Sequence, residues 1–188
     1  MMRYEIRIAG FGGQGVITAG YVLANATSIH DANYALMSQS YGPEARGGSC
    51  KSDVIVSNEP IDYPKTGRID CLVALSIDAY STFYRSVKSN GLIIHEEDLV
   101  EIPLEQQRDD VEYYAIPAVE AAREIGNVLT ANMIMLGALQ EITDKVSLES
   151  LRLSVIDRFP KYKDINLLAI EKGVELAKAV MEEDSPHL

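Results

Sequence analysis

Two stretches of this sequence carry residues in an order that could do chemistry. Gly10-Phe11-Gly12-Gly13-Gln14-Gly15 satisfies the G-x-G-x-x-G spacing, directly after a strand-like run from Tyr4 to Ala9 and at the head of a helical pattern from about Val16 to Ile29. Glycines there permit positive φ and close backbone approach, and the N–H groups that open a helix favour an anion, often a phosphate. The same spacing also serves a tight strand-to-helix turn that binds nothing. The second stretch is Tyr41-Gly42-Pro43-Glu44-Ala45-Arg46-Gly47-Gly48. Arg46 could present a guanidinium fork to phosphate or carboxylate, with Glu44 orienting it. Its alternative is an Arg–Glu pair that pins the loop to its own domain or to another subunit.

Other chemistries find less support. A dinucleotide fingerprint calls for an Asp or Glu about 20 residues onward, at the end of the second strand. Here that strand ends at Met37-Ser38-Gln39, and Asp31 precedes it, which weakens the case for NAD. No Gly-Lys-Ser or Gly-Lys-Thr follows the turn, so a P-loop is excluded. His95-Glu96-Glu97-Asp98 invites a metal, yet four successive residues after a strand do not converge on one ion, and a solvated strand end is the expected reading. His30 and His187 stand alone, Ser49 lacks the spacing of a nucleophile elbow, and Glu182-Glu183-Asp184 reads as a frayed tail. No catalytic residue and no metal ligand is assigned.

The elements that must position the glycine stretches follow from periodicity. Tyr34 to Met37, Ser49 to Ser57, Asp70 to Ser76, Gly91 to His95 and Val111 to Ile116 read as strands. The nearly continuous apolar run at 70–76 belongs in a sheet centre covered on both faces. Helices are expected at Ile77 to Val87, from Pro117 through Glu124, from Ser147 to about Phe159, and along the stripe Leu167, Ile170, Val174, Ala177 and Met181. Between Asn127 and Ile142 the apolar residues surround the helix, which marks a buried spine or an association surface. Strands alternating with helices, then a helical C-terminal portion, predict one α/β domain over residues 1–188, a three-layer α/β/α sandwich with a largely parallel sheet. A chain of 188 residues can bury roughly 70% of its unfolded surface, enough for a core without staples.

Charge and cysteine content narrow the partners. A formal charge of -11 repels nucleic acid and anionic membranes, and neither a leader pattern nor an apolar run of spanning length is seen, which places the expected location in the cytoplasm. Two cysteines, Cys50 and Cys71, are too few for a disulfide framework or an ordinary iron–sulfur cluster. Both read as small strand hydrophobes.

Taken together, Gly10 to Gly15, Ser40 to Gly48, Leu72 to Ser76 with Ala79-Tyr80, and Asn132-Met133 with Leu136 to Leu139 resemble the gamma subunit of 2-oxoacid:ferredoxin oxidoreductases, in order, from about Tyr4 to Gly173. Lys51-Ser52-Asp53-Val54 and Ile61-Asp62-Tyr63-Pro64 look most like the 2-oxoglutarate branch; pyruvate and branched-chain enzymes stay open. The resemblance implies a complex that decarboxylates a 2-oxoacid on thiamine diphosphate with magnesium, sends electrons through iron–sulfur clusters to ferredoxin, and passes the acyl group to coenzyme A. It assigns those cofactors to alpha, beta and ferredoxin-like delta subunits and leaves this chain inactive alone, with homo-oligomers open when it is isolated. This chain would serve assembly and could help accommodate coenzyme A as substrate. The residues this reading carries as candidates are Gly10, Gly12, Gly13, Gln14, Gly15, Tyr41, Gly42, Glu44, Arg46, Gly47 and Gly48. A free-standing nucleotide-binding protein and a purely structural module are the competing classes.

Overall fold

In a computed structural model the fold is built on six strands in the order β2-β3-β1-β4-β5-β6, and residues 3–42 and 48–183 are described. The strands are β1 (Arg3–Phe11), β2 (Tyr34–Tyr41), β3 (Ser49–Ser57), β4 (Ile69–Ala74), β5 (Val87–Glu96) and β6 (Val111–Ile116). Parallel pairing runs from β1 through β4 and β5 to β6. β3 alone is antiparallel, inserted between β1 and β2. The sheet is thus largely parallel, as expected, with one reversed strand. β2 extends to Tyr41, beyond the expected Met37, because Ser38 to Tyr41 find ladder partners on Cys50 to Asp53.

The alternation of the strands divides the core in two. Ile6, Ile8, Cys71, Val73 and Ile94 face one side, where α1 (Val16–Asn25), α3 (Ala118–Glu124), α4 (Ala131–Thr143), α5 (Leu148–Arg158) and α6 (Lys163–Glu183) supply the covering layer. Ala9, Leu72, Ala74 and Ile93 face the other, covered by α2 (Ile77–Phe83) and by Val100 and Ile102 of the β5–β6 connection. This is the three-layer arrangement the sequence predicts. α1 stops short of Ile29 and passes into a π-helical turn, Ala26–His30. The helix expected over 77–87 is shorter, because Val87 already begins β5.

The helix expected from 127 begins later: Val128–Thr130 form a 3-10 turn with Val128 and Leu129 exposed, and α4 is the buried spine. Nine consecutive residues, Asn132 to Gln140, are buried, as is Thr143. It can be enclosed so tightly because Gly137 lies against the carbonyl of Ile170 and Gly173 against that of Ile134, so the backbones of α4 and α6 meet without intervening side chains. No helix among the described residues is long and apolar enough to cross a membrane.

Candidate functional site

The glycine turn is fastened by its own glutamine. Gln14 Oε1 accepts from the Phe11 amide at 2.6 Å, Gln14 Nε2 donates to Leu75 O at 2.8 Å, and the Gln14 amide closes back on Phe11 O at 3.2 Å. β1 and β4 are thereby tied where they leave the sheet. Gly13 and Gly15 have φ of +102° and +74°, which side-chain-bearing residues rarely adopt. From the far side Asn132, in the first turn of α4, donates to Gly15 O at 3.1 Å and fills the space that a Cβ on Gly15 would need. Gln14 is therefore a structural clamp, whereas Gly13 faces open space.

The second loop comes to the same edge. Gly12 N donates to Gly48 O at 2.9 Å, and Gly42 N donates to Ser49 O at 2.6 Å, so the flanks of both glycine stretches are laced together. Glu44, Arg46 and Gly47 lie outside the described residues. Gly10, Phe11, Tyr41, Gly42, Cys50 and Lys51 form one side of a crevice of about 160 Å³, and Ser76, Asp78, Thr82 and Phe83 from the start and body of α2 form the other. α1 leaves β1 on one face of the sheet and α2 leaves β4 on the other, so the crevice opens at the topological switch point, outside the carboxyl ends of these strands, where open α/β sheets hold their ligands. A volume of 160 Å³ is well under the roughly 300–1,000 Å³ of a site for a whole drug-sized ligand. It admits one part of a larger molecule.

Under the crevice lies a buried ion cluster that the pattern reading missed. Arg7 and Asp53 are cross-strand partners on β1 and β3, and both are buried. Arg7 Nε and Nη2 reach the two oxygens of Asp53 at 2.6 and 3.0 Å, the bidentate geometry that suits a guanidinium and a carboxylate. Lys51 Nζ adds a bond to Asp53 Oδ2 at 2.6 Å, and Thr66 Oγ1 adds another at 2.9 Å. The ring of Phe83 covers the cations, with Arg7 Cζ 4.7 Å and Lys51 Nζ 5.8 Å from its centroid. Burial alone would raise the Asp53 pKa, but the hydrogen bonds from Arg7 and Lys51 outweigh it and hold the carboxyl below its usual range. Arg7 and Asp53 each stand next to the apolar run of their strand, Ile8-Ala9 and Val54-Ile55-Val56.

The expectation of a solvated end at His95 to Asp98 is corrected at Glu96. That residue is buried, its Oε2 accepts from Leu99 N at 2.7 Å and its Oε1 from Val119 N at 3.0 Å, so it pins the turn after β5 to the start of α3. Burial raises its pKa, and the two backbone donors work against that rise. Among the described residues no cluster of His, Cys, Asp and Glu is arranged to hold a metal ion. Burial also pushes the Cys50 thiol up, which suits a packed hydrophobe better than a nucleophile. Asp31 is engaged elsewhere: it accepts from Ser147 N, Ser147 Oγ and Ser150 Oγ at 2.6–2.8 Å and so caps α5.

The sequence matches the pyruvate ferredoxin/flavodoxin oxidoreductase family over residues 5–176. This chain belongs to that family. It is 46% identical over 179 residues to the 2-oxoglutarate synthase subunit KorC of Methanocaldococcus jannaschii, a match spanning 94% of this chain and 95% of the relative. The fold of this family member is similar to that of the gamma subunit of a keto/oxoacid ferredoxin oxidoreductase from Geobacter sulfurreducens PCA, with a TM-score of 0.81, 37% identity, and coverage of 94% and 99% of the two chains. It is also similar to 32% of a chain of the 2-oxoglutarate:ferredoxin oxidoreductase of Magnetococcus marinus, solved with 2-oxoglutarate, coenzyme A and succinyl-CoA bound; there the TM-score is 0.84 and the identity 26%, over 95% of this chain.

Proposed function

We propose that this chain is the gamma subunit of a multisubunit 2-oxoglutarate:ferredoxin oxidoreductase, which converts 2-oxoglutarate, coenzyme A and oxidised ferredoxin to succinyl-CoA, carbon dioxide and reduced ferredoxin. The 46% identity to a 2-oxoglutarate synthase subunit, over nearly the full length of both chains, carries the reading. Thiamine diphosphate, magnesium and the iron–sulfur clusters belong to the alpha, beta and delta partners. The chemistry of this chain agrees with that division: two cysteines, Cys50 and Cys71, both buried, do not make a four-thiolate cluster site. A free-standing NAD enzyme is less well supported, since Asp31, the acid that precedes the second strand, is committed to the cap of α5.

The contribution of this chain is assembly of the complex together with accommodation of part of coenzyme A in the crevice between the two glycine stretches. The crevice supports this by its place at the switch point, by its size, and by the hydroxyl and ammonium groups that face it. The test is reconstitution. Alone, the purified chain is expected to be folded and to show no ferredoxin-linked oxidation of any 2-oxoacid; with the alpha, beta and delta subunits, activity on 2-oxoglutarate should appear and depend on added coenzyme A. Robust turnover by the isolated chain, or a complex that prefers pyruvate or a branched-chain 2-oxoacid, would overturn it.

A further inference from the structure

We infer that Lys51, held in place by the buried Arg7–Asp53 pair, is an anion-binding subsite in the floor of the crevice and takes a phosphate group. The inference deepens the reading of the crevice as a coenzyme A site and rests on that reading only for which molecule brings the phosphate. Two cations, Arg7 and Lys51, share one carboxylate, Asp53, and the neutral Thr66 hydroxyl completes the shell of that carboxylate. The cluster therefore keeps one excess positive charge in a place where Arg7 and Asp53 are buried and α2 closes over them with the Phe83 ring. With Arg7 matched by both oxygens of Asp53, that excess falls on Lys51, whose ammonium is open to an anion entering the crevice.

The geometry says where that opposite charge can come. Arg7 is enclosed; its remaining polar contacts are internal, to Thr66 Oγ1 at 3.3 Å and Ser86 Oγ at 3.4 Å. Lys51 is the member that reaches the crevice, with 27% of its side chain exposed. Its ammonium carries three N–H groups, and the bond to Asp53 uses one. Among the described lining residues Lys51 is the one cation and Asp78, exposed at the opposite rim, the one acid. Ser40, Ser49, Ser76 and Thr82 ring the same space with hydroxyls. Several hydroxyl groups and one fixed ammonium in a small crevice match a tetrahedral oxyanion with many acceptor sites better than a flat, apolar or cationic group. In this arrangement Asp53 is a positioning residue. It holds the ammonium head of a flexible lysine by one hydrogen bond, so that the remaining N–H groups are offered to the crevice from a defined place.

The assembled complex provides one arm of the test and the full chain alone the other. In the complex, Lys51→Met keeps the apolar stem and the Arg7–Asp53 pair but removes the charge; the KM for coenzyme A should rise about tenfold, as expected for loss of one charge-assisted hydrogen bond, while the KM for 2-oxoglutarate stays unchanged. Lys51→Arg should restore most of the loss. Dephospho-coenzyme A identifies the group: if the 3′-phosphate is the one held, wild type and Lys51→Met should handle it alike, and if the pyrophosphate is held the tenfold gap should persist. With the chain alone, pyrophosphate titrated and followed by 31P line width should bind to wild type and not to Lys51→Met. Thr82→Glu, which places a negative charge in the crevice without touching the ion cluster, should weaken both measurements in the same direction and covers the case in which Lys51→Met does not fold. A KM change for 2-oxoglutarate instead of coenzyme A, or unchanged values in both arms, would overturn the subsite. A complex that never uses coenzyme A would refute the functional reading while the pyrophosphate titration still judged Lys51.

Discussion

Replacing Gly173 with alanine tests whether the contact between α4 and α6 is set by backbone. A Cβ on Gly173 would press on the carbonyl oxygen of Ile134 and would stand 2.8 Å from Ile134 C and 2.9 Å from Ala138 N, all main-chain atoms that no rotamer change can move aside. Reaching an ordinary contact of 3.4 Å requires the helices to part by at least 0.6 Å at the carbonyl carbon, and by more at the oxygen. Overpacking of this kind costs about 1–3 kcal/mol, and with backbone on every side the upper end applies. Alanine returns about 1 kcal/mol through its better helix propensity. The net loss is about 2 kcal/mol, which for a chain of this size lowers Tm by about 4–8 °C. Thermal and urea unfolding followed by circular dichroism measure it, with Gly67→Ala as control, because a Cβ at Gly67 meets nothing within 4 Å and should leave stability unchanged. A Gly173→Ala chain as stable as wild type, or more so, would refute the reasoning, since propensity alone would then be acting. The consequence reaches the site: α4 carries Asn132, which holds Gly15 O, so the variant should also loosen the glycine turn.

Asp53→Ala should destabilise the chain by about 3–5 kcal/mol in urea unfolding, because it leaves the Arg7 guanidinium buried and unpaired. The Asp53 pKa is lowered in the folded chain, so its contribution is complete above the unfolded value near 3.8 and is lost as pH falls through the lower folded value; the stability gap between wild type and Asp53→Asn should hold from pH 7 to about 5 and narrow below pH 4. A gap that widens on acidification would reverse the sign assigned to this cluster. Met135→Glu, which puts a carboxylate into the middle of α4 where Met135 is 2% exposed, should abolish cooperative folding by calorimetry, and a normal transition would mean that the spine has been misread.

Local pattern was enough to read most of the frame. Strand–turn–helix order, the continuous apolar run of β4 and the all-round apolar α4 each rest on residues within one segment, and their periods survive folding because each element buries what its own pattern exposes. What depends on pairing between distant segments was less legible. The reversed direction of β3 follows from a short return after β2, and nothing in the run Ser49 to Ser57 distinguishes a parallel from an antiparallel neighbour. Glu96 reads as a surface acid until α3 supplies the Val119 amide that accounts for its burial. The crevice shows the same limit most clearly. The two glycine stretches announce themselves by composition, yet the groups that give the crevice its charge and its wall, Lys51 on β3 and Phe83 on α2, stand 32 positions apart and look like an ordinary strand lysine and an ordinary helix aromatic. They acquire a joint role because β1 pairs with β3 on one side and β4 on the other, which puts Arg7 beside Asp53 and brings α2 down over both. Glycines in this chain tell where a backbone can be approached; the sheet order decides which charge waits there, and the chemistry of the site belongs to that second step.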